Sequence, residues 1–310
     1  MSRSLWLFPV LLLNLSCLAC TTPSPPTTID LFNRMPLHSI LVDQHSIVYT
    51  DIGQGPPLIF IHGLGGSIWH WEHQQTFFSS HFRVITLDLL GSGLSDKPEL
   101  EYTPENMVSF FLAFMDTLGI HQATLIGNSM GGGLAMGVAL TEPARVSQLV
   151  LISGFPPNIR RHLISPMYHR MMEYQPPLWI MKLGNYLAGR WATKMALEEI
   201  IFDPQLLTPA VIDRSYHHRS NGDSFGPLLS LMSHLEKWES TFASRISDIT
   251  HPTLILWGTE DRIFPLTAGQ TLQMLMPHST FTTIPQAGHL PQWEQPEIVN
   301  QQIQTFLEFH

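Results

Sequence analysis

Leu125-Ile126-Gly127-Asn128-Ser129-Met130-Gly131-Gly132 is the stretch from which the rest of this chain can be read. Ala123 to Ile126 is a short apolar run of the kind that forms a buried strand, and a helical pattern follows from Met130 to Leu140. Between them sits Gly-x-Ser-x-Gly. A turn from strand straight into helix brings the backbone so close to itself that side chains two residues either side of the serine would collide, which accounts for both glycines. Such a turn presents Ser129 at the carboxyl end of a sheet, over the amino terminus of a helix whose free N–H groups favour negative charge.

The flanking sequence repeats the strand type. Leu58 to Ile61, Val84 to Leu87, Leu149 to Ile152 and Thr253 to Leu256 are apolar at every position or nearly so, as strands covered on both faces are. Upstream, Ser39 to Val42 and Ile47 to Thr50 read as a strand pair, with Asp43, Gln44 and His45 at the turn. A helical pattern over Asn106 to Leu118 lies between two of the runs. Strand alternating with helix predicts an α/β fold with a mostly parallel central sheet flanked by helices. The alternation breaks between Gly154 and about Arg245. There the sequence is helical, with no strand-like run, and holds Met167, Met171, Met172, Trp179, Met181, Trp191, Met195, Met232 and Trp238. Flexible methionine is a common filler of apolar cores, so this content is expected to pack within the insertion. The expected organisation is a core over residues 31–154, a helical cap over 155–245 and the remainder of the core over 246–310.

A serine hydroxyl becomes a useful nucleophile only when a base takes its proton. Two downstream segments could supply base and acid, each just past a strand-like run: Trp257-Gly258-Thr259-Glu260-Asp261-Arg262, and Gln286-Ala287-Gly288-His289-Leu290 after Thr280 to Ile284. They would complete a triad of Ser129 as nucleophile, His289 as base and a carboxylate from Asp261 or its neighbour Glu260, in the chain order serine, acid, histidine. A fourth segment, His62-Gly63-Leu64-Gly65-Gly66, directly follows a strand. Its glycines let the backbone approach a substrate, and the N–H groups of Leu64 and Met130 are the expected oxyanion donors. His62 is expected to hold this loop by hydrogen bonds.

Together these segments resemble the α/β-hydrolase superfamily from about Val48 to Phe306, with the cap the least alike. Asp88-Leu89-Leu90-Gly91-Ser92-Gly93-Leu94-Ser95-Asp96 is similar to that superfamily's turn after the fourth strand. The resemblance implies the α/β-hydrolase fold and favours Asp261 over Glu260 as the acid. Gly-Asn-Ser-Met-Gly-Gly is similar both to capped lipases and esterases and to C–C bond hydrolases that cleave ring-fission products. The C–C hydrolases usually carry tryptophan after the histidine, where this chain has Leu290, and their carboxylate-binding cap arginine has only a loose match in Arg190. Epoxide hydrolases and dehalogenases of this fold carry aspartate at the position of Ser129. The expectation is therefore a serine hydrolase acting on hydrophobic carboxylic esters or lipids, with C–C bond hydrolysis of the meta-cleavage-product type as the alternative. No metal or organic cofactor is implied.

Composition narrows the partners. Of the 310 residues 13% are charged, against roughly 25% in an average soluble protein. A formal charge of −9 argues against nucleic acid, whose binding needs clustered Lys and Arg. His70 with His73, and His217 with His218, lack the carboxylate or cysteine partners of a zinc site. No protein partner is implied. Both cysteines, Cys17 and Cys20, lie near the amino terminus, behind Arg3 and the apolar run Leu5 to Leu15. Residues 1–20 read as a signal peptide and 21–30 as a Pro/Thr/Ser-rich spacer. Ala19-Cys20 resembles the cleavage site of a bacterial lipoprotein, which makes Cys20 the lipidation candidate, although Cys17 stands where that family usually has an aliphatic residue. The address expected is the cell envelope, anchored to a membrane through Cys20 or else periplasmic or secreted.

Overall fold

The computed structural model describes residues 36–174 and 176–309. The leader, the spacer and Cys20 lie outside the described residues.

Eight strands form one sheet: β1 Leu37–Val42, β2 His45–Ile52, β3 Pro57–Ile61, β4 Arg83–Leu87, β5 Ala123–Asn128, β6 Val146–Ile152, β7 Thr253–Gly258 and β8 Ser279–Ile284. Their order is β1-β2-β4-β3-β5-β6-β7-β8. β2 pairs antiparallel with β1 and β4, and all other pairs are parallel. The α/β-hydrolase fold expected from the sequence is what the chain adopts. The β1–β2 turn is tighter than its composition suggested. Asp43 and Gln44 alone make it, both at positive φ, and His45 pairs with Val42 inside the ladder. Two left-handed residues give a turn whose twist matches that of the strands it joins.

The helices of the core are α1 Glu72–Phe78, α2 Pro104–Thr117 and α3 Met130–Thr141 before the insertion. α2 opens with Thr103, whose hydroxyl accepts from Asn106 N–H, and Pro104 fills the first turn, where no N–H is needed. Alternation along each strand divides the interior into two layers. On one face Ile59, Ile61, Ile85 and Leu87 pack with Phe111, Phe114 and Leu134 of α2 and α3. On the other, Leu58, Phe60, Val84 and Ile126 pack with Trp71 and Phe78, and with Val299, Ile303 and Phe306 of the last helix. Apolar runs without alternation in the sequence are thus strands facing apolar helices on both sides.

Between β6 and β7 the described chain holds helices and no strand: α4 Ile159–His162, α5 Pro166–Glu173, α6 Leu178–Ile200, α7 Pro209–Ser220, α8 Phe225–Ser233 and α9 Leu235–Thr241. α10 Leu266–Leu275, α11 Pro291–Glu294 and α12 Pro296–Phe309 complete the core. Methionine and tryptophan in the insertion meet three fates. Met172, Met232 and Trp238 are buried, Met167, Met171 and Met181 are half-buried, and Trp179, Trp191 and Met195 are exposed. Core packing was the expectation for all of them, and the exposed three depart from it. Trp179 and Trp191 lie on the outer side of α6, a helix that bends where Ala188 leaves helical geometry. Among the described residues no helix is long and apolar enough to cross a membrane.

Candidate active site

Ser129 stands between β5 and α3 with φ 53° and ψ −119°, a conformation that costs a non-glycine residue free energy and is held only where its surroundings leave no alternative. Those surroundings are visible. A Cβ on Gly127 would come within 2.3 Å of Gly131 O, and one on Gly131 within 2.2 Å of Ile61 O. Both glycines of the motif are therefore demanded by backbone contact. Ser129 N–H donates to Ile152 O at 3.0 Å, and its own carbonyl accepts from Gly133 N–H at 3.1 Å, so the turn is tied to β6 and α3 at once.

His289 and Asp261 are brought together from the ends of β8 and β7. His289 Nδ1 lies 2.8 Å from Asp261 Oδ2, and both residues are buried. Asp261 Oδ1 accepts from Ile263 and Phe264 N–H at 2.8 and 3.0 Å, so three donors fix the carboxylate. With an ionised carboxylate as acceptor, the proton of the imidazole sits on Nδ1 and Nε2 is left as its free base. Glu260 is exposed, and its carboxylate accepts from the Thr259 hydroxyl instead.

Ser129 and His289 line the same cavity, about 60 Å³ in volume, with Gly63, Leu64, His70 and Asn128 at its polar end. Its other walls include Phe155, Met172, Met232, Ile263 and Leu290. No arginine or lysine lines it among the described residues. Met130 is the first residue of α3, where a backbone N–H has no partner within the helix. Leu64 lies on the loop after β3, and a Cβ on the adjoining Gly63 would stand 3.0 Å from Ser129 Cβ, so this loop is pressed against the serine. His62 braces the loop. Its Nδ1–H donates to Gly63 O at 2.7 Å and its Nε2 accepts from Leu89 N–H at 3.0 Å, while burial pushes its pKa down to about 4. The bond accepted by Nε2 needs a neutral ring, and the depressed pKa keeps it so. Arg190 lines none of the cavities described here; it is paired with Asp213.

Three contributors escaped the sequence reading. The Asn128 side chain donates to both Ile152 O and His289 O at 3.0 Å, linking the serine turn to the imidazole loop. Its place inside the motif, at a position where any residue is allowed, carried no signal. His70 is buried against the cavity with its Nδ1 unpartnered, and burial holds its pKa well below the usual histidine range. Only its closeness to the glycine loop could have marked it. Glu294, five residues after His289, is a buried carboxyl that burial pushes up to about 7 even though it accepts from Gly288 and Phe202 N–H. Among the described residues no cluster of three or more His, Cys, Asp or Glu is arranged to hold a metal ion.

A serine at the turn after β5, sharing a cavity with a histidine after β8 that is bonded to an aspartate after β7, defines a class of fold and site. The chain belongs to the alpha/beta hydrolase fold family, whose model matches residues 56–296. It is 30% identical over 272 residues to a 2-hydroxy-6-oxo-6-phenylhexa-2,4-dienoate hydrolase of Burkholderia cepacia, an alignment covering 83% of this chain and 90% of the relative. A meta-cleavage product hydrolase from Pseudomonas fluorescens superposes with a TM-score of 0.75 at 26% identity, covering 88% of this chain and 98% of that one. A membrane phospholipase A superposes with a TM-score of 0.73 at 25% identity, covering 88% and 86%. The chain is thus an α/β-hydrolase related both to C–C bond hydrolases and to lipases and esterases.

Proposed function

We propose that this α/β-hydrolase cleaves carboxylic esters of hydrophobic acyl groups through an acyl-enzyme on Ser129. The observation that carries the reading is the composition of the Ser129 cavity: a serine, a histidine held by aspartate, and beyond His70, Asn128 and Tyr168 mostly apolar walls, with no arginine or lysine among the described lining. His289 Nε2 takes the proton of Ser129 as its oxygen attacks the ester carbonyl. The N–H groups of Leu64 and Met130 hold the oxyanion, a contribution of about 3 kcal/mol for each donor of this type. His289 then protonates the departing alcohol, and water repeats the sequence on the acyl-enzyme. Asp261 stays ionised and keeps the imidazole in the tautomer that can accept.

The second reading is C–C bond hydrolysis, favoured by what the B. cepacia and P. fluorescens relatives are named for. Against it stand Leu290 after the histidine and the pairing of Arg190 with Asp213, which leaves no cation in the Ser129 cavity for a substrate carboxylate. We further propose export to the cell envelope with Cys20 as lipid anchor, a reading supported by the leader sequence. The outer side of α6 adds support, since it exposes Trp179, Tyr186 and Trp191, residue types suited to a membrane–water boundary. Hydrolysis of p-nitrophenyl esters from acetate to palmitate tests the chemistry. Strong turnover of medium or long chains is expected; feeble turnover throughout, with cleavage of a dienoic keto acid, would replace the ester reading by the second one.

A further inference from the structure

Beside the Ser129 cavity lies a larger one of about 300 Å³. Leu64, His70, Tyr168 and Ile200 are walls of both. Its far side is a single face of α6: Ala192, Thr193, Ala196, Leu197 and Ile200 recur at helical spacing. A ligand part filling this cavity therefore presses on α6, most of all on its last turn.

That last turn is fastened to the imidazole loop. His289 N–H donates to Ile200 O at 2.7 Å. Glu294, on α11, bridges the same junction with both oxygens. Oε1 accepts from Gly288 N–H at 2.8 Å, one residue before the histidine, and Oε2 accepts from Phe202 N–H at 2.6 Å, two residues after α6 ends. The approach is close enough that a Cβ on Gly288 would meet Ile200 O at 2.7 Å. A buried carboxyl is expensive to keep, and α11 could have carried an apolar residue here. What the carboxyl does that no apolar residue could is accept from two backbone segments, one of the insertion and one of the imidazole loop.

We propose that Glu294 is a positioning residue that couples the end of α6 to His289, so that occupation of the larger cavity sets the imidazole against Ser129. It acts through the loop and touches no reacting atom. The proposal rests on the serine–histidine chemistry proposed above but not on the ester as substrate. It makes the acyl length a determinant of the chemical step as well as of binding. A substrate long enough to fill the larger cavity reacts faster once bound, and one confined to the Ser129 cavity does not gain this.

The test is covalent labelling of Ser129 by two alkyl fluorophosphonates, one with an ethyl and one with an octyl chain, with the maximal labelling rate separated from the affinity. In the wild type the octyl reagent should show the higher maximal rate. In Glu294→Gln, whose amide keeps a single acceptor oxygen, the octyl rate should fall about ten-fold with affinity nearly unchanged, and the two reagents should then label at similar rates. Glu294→Asp, which shortens the bridge by one methylene, should move the same way and serves if the amide variant does not fold. Equal proportional loss for both reagents, a change confined to affinity, or no change would overturn the coupling. Absent ester turnover alongside the expected labelling pattern would sink the ester reading and leave the coupling standing.

Discussion

The carboxyl edge of the sheet and the helical insertion above it meet at the Ser129 cavity, yet different constraints hold them. At the sheet edge nearly every position is specified by a backbone contact: Gly127 against Gly131 O, Gly131 against Ile61 O, Asp261 between two N–H groups and an imidazole. In the insertion the requirement is mostly apolar filling. Eight of the sixteen large exposed apolar side chains among the described residues fall between Tyr174 and Met195, on or next to α6. Backbone contacts admit one residue type, whereas filling admits many. The Ser–His–Asp geometry therefore sits on the constrained region, and the loosely specified region is where substrates can differ, reaching the chemistry only through the junction of α6 with the imidazole loop.

That contrast can be broken most severely at the acid. Asp261→Asn should lower kcat about 10⁴-fold, because an amide that donates to the ring favours the wrong tautomer. Glu260→Gln, one residue away but exposed, should change it less than about three-fold. Steady-state kinetics on one ester decides, and the reverse ranking would move the acid role to Glu260.

His62 gives an intermediate effect with a defined pH dependence. Its folded pKa, about 4, lies below the ordinary 6.5. Between those values the unfolded chain binds a proton that the native ring refuses. The stability from a neutral His62 is thus fully present above pH 6.5 and lost as pH falls towards 4, a change of about 3 kcal/mol. Asn at this position does not titrate. The stability advantage of wild type over His62→Asn, followed by thermal melts, should shrink steadily from pH 7 to pH 4.5. A constant difference would mean that the ring takes up its proton alike in the folded and the unfolded chain.

The insertion should yield the smallest effect on chemistry. Met232→Ala enlarges the cavity around Ser129, which should move the preferred acyl length upward while changing acetate turnover less than about five-fold. Loss of all ester activity with the fold intact would show that the insertion is as tightly specified as the sheet edge.

The same contrast explains what could be read from sequence. The five strands with continuous apolar runs, the Gly-x-Ser-x-Gly turn and the segments carrying Asp261 and His289 were legible because sheet burial and backbone approach each leave a distinct residue pattern. Asn128 was not, since its role is a side-chain bridge to His289 O across 161 residues. Glu294 was not either, because a carboxylate that accepts two distant backbone N–H groups looks in sequence like any surface acid. The fates of Met172, Met181 and Met195 (buried, half-buried and surface) could not be separated, since the hydrophobic effect ranks residues by type and these are the same type.

Replacement of Ser129 by alanine, assayed on the best p-nitrophenyl ester beside the wild type, decides whether this serine is the nucleophile. A fall in kcat of about 10⁴ or more is expected, with an unchanged melting temperature and complete loss of fluorophosphonate labelling. Ester turnover within ten-fold of wild type, in protein free of contaminating hydrolase, would contradict it.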